Sequence, residues 1–97
     1  MVFSIEEIKE KSIPIAVKHG LNSLGIFGSY AKNTASNDSD LDFIMDDGDV
    51  NTLLKYMALV NDLEEIFNCH VDVISSCSNN KTFLDKIKKD VIIIYER

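Results

Sequence analysis

Residues 25–44 read GIFGSYAKNTASNDSDLDFI, and no other stretch constrains the fold as tightly. An apolar run ends at Gly28-Ser29, ten residues intervene, and Asp40-Leu41-Asp42 follows. Acids at i and i+2 of a strand project from one side of it, because side chains alternate. A glycine lets backbone approach a ligand closely. A serine at a strand-to-helix turn offers phosphate a hydroxyl and an N–H. The stretch therefore predicts a strand, a phosphate-holding turn, a polar loop, and a second strand whose paired carboxylates can chelate a cation. Metal-assisted nucleotide chemistry is the reaction class that combines those parts.

The rest of the chain builds around this unit. Ser4-Ile5-Glu6-Glu7 is a capping-box pattern, so a helix starts there, with Ile5 and Ile8 inward. Pro14 is expected to interrupt or kink it, with Ser12 capping a second short helix, and Gly20 is a stop signal. Leu24–Phe27 reads as a short buried strand and Ser29–Lys32 as one helical turn. Residues 33–39, NTASNDS, read as loop. Leu41–Met45 reads as a strand with Leu41, Phe43 and Met45 on one face and Asp40, Asp42 and Ile44 on the other. From about Asn51 to Phe67, Leu53, Met57, Val60, Leu63 and Phe67 recur at helical spacing, and Leu54, Leu59 and Ile66 widen that face. His70–Ile74 reads as a third strand. A last helix from Asn79 or Asn80 to Lys89 follows, packed through Phe83, Leu84 and Ile87, and Val91–Tyr95 reads as a fourth strand. The expected architecture is α+β: a small mixed sheet of about four strands with helices mainly on one face.

Asp72 is a third acid, inside the otherwise apolar VDVI. A carboxylate in such a setting usually has a partner, since burying it alone is costly. If the third strand lies beside the second, Asp72 joins Asp40 and Asp42. Three carboxylates that close repel one another without a cation, and with about two Mg²⁺ ions they form a clamp for phosphoryl or nucleotidyl transfer. Rival uses of these residues fail on spacing. An EF-hand needs Gly where Phe43 stands and Glu where Asp49 stands, and no GxxxxGK phosphate loop occurs. Cys69, Cys77, His19 and His70 match no zinc-finger spacing. Taken singly, a DxD at a strand end is often solvated surface and Gly-Ser is often a plain turn; their order along the chain gives them weight.

Composition narrows the class further. Ninety-seven residues suit one domain, 1–97, with a small core and no room for separate substrate and catalytic domains. The net charge of −6 argues against direct nucleic-acid binding, which uses a basic face. It leaves nucleotides open, because a metal ion supplies positive charge. No apolar run approaches a membrane span, the start lacks a signal-peptide pattern, and the two cysteines suit reduced thiols, so a cytoplasmic location is expected.

GS-x10-DxD within GIFGSYAKNTASNDSDLDFIM resembles the signature of the DNA polymerase beta-like nucleotidyltransferase superfamily. The small size resembles its minimal nucleotidyltransferase (MNT) branch, the antitoxin partners of HEPN ribonuclease toxins. The resemblance implies a polymerase beta palm-like fold and covers nearly the whole chain, from the leading helix to VIIIYE. It implies that Gly28 and Ser29 grip phosphate, with Lys32 in reach. It implies that Asp40 and Asp42 bind metal, and that Asp72 binds metal and acts as general base. Where the family often reads GSxARG this chain reads GSYAKNT, so Lys32 keeps the charge without the bidentate geometry of arginine. The implied activity is Mg²⁺-dependent transfer of AMP from ATP to a tyrosine hydroxyl of a HEPN-type toxin, within a hetero-oligomeric complex. The alternative is a binding module that neutralises its partner by covering it. A weaker third option is transfer to a small molecule such as an aminoglycoside. A partner requires an exposed apolar patch, and the helix over 51–67 has apolar residues on more than one face.

Overall fold

A computed structural model describes residues 3–32, 35, 36, 40–76, 82, 85 and 89–97. Helix α1 spans Ile5–Lys18 and opens on the predicted capping box: Ser4 Oγ accepts from the Glu7 N–H, and the Ser4 N–H donates to Glu7 Oε1. The break expected at Pro14 does not occur; α1 runs through it. Ser12 is not a cap either. It is fully buried, and its hydroxyl donates to the Ile8 carbonyl. Proline removes only one N–H of the ladder. Burial of Ile8, Ile15 and Ala16 on either side holds the helix together across that gap. Gly20 stops α1 as expected, at φ +69°. The Leu21 N–H bonds the Ala16 carbonyl and the Gly20 N–H the Val17 carbonyl, the paired bonds of a Schellman motif.

Strands β1 (Ser23–Phe27), β2 (Leu41–Asp46), β3 (Val71–Ser75) and β4 (Ile92–Glu96) form a four-stranded sheet in the order β3-β2-β1-β4. β1 pairs antiparallel with both β2 and β4, whereas β2 and β3 are parallel. A parallel pair needs a crossover, and helix α2 (Leu53–Phe67) supplies it. α1 lies against β4 and α2 against β3, and the two helices touch each other, so the mixed sheet carries them on one face as expected. Leu41, Phe43 and Met45 point into the core on alternate residues of β2. The Phe43 and Phe67 rings meet there with centroids 6.0 Å apart.

The inward face of α2 agrees with the predicted one at Leu59, Val60, Leu63 and Phe67 and departs from it at Leu53, Leu54, Met57 and Ile66. Leu59, Leu63 and Phe67 are buried, with Tyr56 and Val60 packed at their margin. Leu53, Leu54 and Met57 are 72%, 81% and 57% exposed, and Ile66 is also at the surface. At about 100° per residue, Met57 sits about 120° around the helix from Leu63, whereas Tyr56 sits about 20° from it. Tyr56 takes the inward place because its hydroxyl has a partner there, the Val73 carbonyl at 2.6 Å. Most of the predicted last helix, including Phe83, Leu84 and Ile87, lies outside the described residues, as do Cys77 and most of the polar loop over 33–39.

Candidate active site

Sheet register assembles the site. Phe27 pairs with Asp42 across β1–β2, and Asp42 pairs with Asp72 across β2–β3. The end of β1, Asp42 and Asp72 therefore lie along one rung. Asp40 stands two residues before Asp42 and shares its side of the strand. Ligand atoms of Asp40, Asp72 and His70 all lie within 4.8 Å of one another. The ligand-atom group is therefore Asp40, His70 and Asp72, and Asp42 adjoins it through its register with Asp72.

Their crowding has an electrostatic signature. The Asp42 carboxyl is raised above its ordinary pKa, first by burial and then by the negative charges of Asp72 and Asp40. His70 opposes that rise only weakly. The carboxylates offer hard oxygen donors from one side of the sheet, a set whose chemistry fits a hard divalent cation, and a cation held there would relieve their repulsion.

Gly28 adjoins the acids directly. Its φ is +74°, and a Cβ there would stand 2.5 Å from Asp42 Oδ2. No side chain fits between this turn and the carboxylate, so the backbone after β1 is free to lie close to whatever Asp42 binds. The Lys32 N–H bonds the Gly28 carbonyl at 3.1 Å, which closes the single helical turn containing Ser29. The Lys32 ammonium is turned toward the β4 side, 3.8 Å from Asp90.

Sequence reasoning missed His70 as part of this cluster. Its Nε2 lies 3.1 Å from Asp72 Oδ1 and its Nδ1 3.4 Å from Glu64 Oε2. The Asp72 charge raises its pKa. The signal was present as His-x-Asp, two residues on one side of a strand start. Zinc-finger spacing does not test for that pattern.

The sequence profile of the polymerase beta nucleotidyltransferase family matches residues 10–97. The chain belongs to that family. Among curated members, it is 38% identical over 92% of its length to a Methanocaldococcus jannaschii protein provisionally named a protein adenylyltransferase, and it covers 96% of that protein. It is 29% identical to the protein adenylyltransferase MntA of Thermococcus cleftensis, over 79% of this chain and 78% of the relative. A chain of a toxin–antitoxin crystal structure with AMP-PNP superposes with TM-score 0.80 at 19% identity, over 92% of this chain and 73% of that one. A chain of the complex between tri-AMPylated Shewanella oneidensis HEPN toxin and MNT antitoxin superposes with TM-score 0.74 at 16% identity, over 96% and 73%. At these identities the two structures establish a shared fold. This nucleotidyltransferase carries no helix, among the described residues, long and apolar enough to cross a membrane.

Proposed function

We infer that this nucleotidyltransferase is an antitoxin that transfers AMP from ATP to a tyrosine hydroxyl of a HEPN-type toxin and so silences it. The observation that carries the reading is the rung itself, with Asp42 and Asp72 side by side and Gly28 against Asp42. The names of the relatives supply the chemistry, protein adenylylation, and the MNT–HEPN complex supplies the class of partner.

Each residue then has a task. Gly28 and Ser29 receive the β- and γ-phosphates, and Lys32 adds positive charge at the margin. Asp40, Asp42 and Asp72 would hold Mg²⁺, which would supply the positive charge that an acidic chain lacks and offset the negative charge of the phosphates. Asp72 accepts the proton of the tyrosine hydroxyl. That oxygen bonds the α-phosphorus, the bond from this phosphorus to the bridging oxygen breaks, and pyrophosphate leaves toward Gly28. The site works as an orienting cradle: it holds donor and acceptor in line and keeps the carboxylates preorganised.

The test is the intact mass of the toxin after co-expression with this chain or with Asp42→Asn. The expected result is a gain of one or more adenylyl units that the variant abolishes. A toxin neutralised but unmodified, by either chain, would instead establish the binding-module alternative. The exposed apolar residues of α2 favour binding as part of the action, and an enzyme that must hold a protein substrate needs such a surface too.

A further inference from the structure

A groove of about 420 Å³ runs along the outer edge of β3, between that strand and α2. Tyr56, Met57 and Val60 form its helical wall, Glu64 and His70 its far end, and Asp72 opens into it. Its floor is fixed. The Tyr56 hydroxyl donates to the Val73 carbonyl, and the Val71 N–H donates to Glu64 Oε2 at 3.3 Å, so α2 side chains occupy backbone groups of the edge strand. The edge is thereby closed to an added strand, while the space beside it stays open.

The order across the sheet gives this groove a direction. Gly28 follows β1, Asp42 is on β2, Asp72 is on β3, and the groove lies beyond β3. In-line transfer places the attacking oxygen opposite the leaving pyrophosphate. If phosphates sit at Gly28, the acceptor must come from the Asp72 side, where the groove ends. We propose that this groove seats the acceptor segment of the protein substrate: an aromatic hydroxyl side chain against Met57 and Val60, with basic neighbours facing Glu64 and the acids. Charge complementarity supports basic flanks, because the chain carries −6 overall and the groove is lined by Glu64 and Asp72, two carboxylates that share the single imidazole of His70. Exposed Leu53 and Met57 continue the apolar wall outward, where a folded partner would rest.

The proposal rests on the adenylylation reading, and the experiment separates the two. Met57→Lys and Asn61→Trp place a cation in the groove or fill it, and both positions are exposed, so the core is untouched. With purified toxin, kcat/KM for AMP transfer is expected to fall at least tenfold in each variant, with AMP-PNP affinity unchanged. Transfer by both variants at the wild-type rate overturns the groove assignment and leaves the activity standing. A wild-type chain that modifies no toxin overturns both.

Discussion

Asp42 illustrates how a candidate site residue works against the fold that carries it. Burial and two neighbouring acids raise its pKa, so ionising it costs the folded state free energy. An acid whose folded pKa lies above its unfolded value destabilises the protein as pH rises through that interval. Asp42→Asn is therefore expected to leave the melting temperature at pH 7 unchanged or higher, with any gain shrinking toward pH 4, while transfer is lost. A melting temperature several degrees lower would mean that the carboxylate has a structural role instead. Gly28 shows the opposite balance. Gly28→Ala puts a Cβ against Asp42 Oδ2 at a φ that L-residues resist. It should cost about 1–2 kcal/mol, read as a lower urea midpoint, and should also reduce transfer by displacing the carboxylate.

Among the elements, α1 tolerates a residue that local rules reject. Pro14 is exposed and lies within the helix, so nothing in the core depends on its ring. Pro14→Ala restores the N–H to the ladder. A gain of about 2 kcal/mol is expected, since interior proline costs about 3 kcal/mol relative to alanine and part of that is offset by its restriction of the unfolded chain. Equilibrium urea unfolding measures it, and no gain would mean that the helix is already strained open there. For α2, helical periodicity located the element and missed its rotation. Leu53 and Met57 fit the pattern as well as Leu59 does. The inward place went to Tyr56 because its hydroxyl reaches the edge of a strand that a helical wheel cannot see.

At the scale of the whole molecule, the two helices are joined at one corner by charge. Asp62 of α2 accepts from His19 at 2.7 Å and from Lys18 at 3.1 Å at the end of α1. Those hydrogen bonds lower the Asp62 pKa, His19 more than Lys18. A depressed carboxyl contributes stability that is present above its unfolded pKa of about 3.9 and lost as pH falls through the folded one. Wild type should therefore lose more stability than Asp62→Asn between pH 5 and pH 2, by roughly 1 kcal/mol or less, because solvent reaches the half-buried pair and screens it. Parallel pH-dependent unfolding curves for the two chains would show that the corner contributes nothing. The same assembly leaves Leu53, Leu54 and Met57 outside, beside the groove that adjoins Asp72, so the exposed apolar surface and the proposed base lie together.

Much of this was written in one dimension. The capping box of α1, the stop at Gly20, the alternation of β2 and the turn at Gly28-Ser29 all follow from neighbours within a few residues, where backbone sterics and local hydrogen bonds decide. So does the common side of Asp40 and Asp42, which strand geometry alone requires. That Asp72 stands beside Asp42 was a conditional statement until the parallel register of β2 and β3 fixed it. Tyr56 turned inward and Lys32 turned toward Asp90 for the same reason. Each depends on a partner distant in sequence, and only the packed sheet and helices decide which groups meet across that distance.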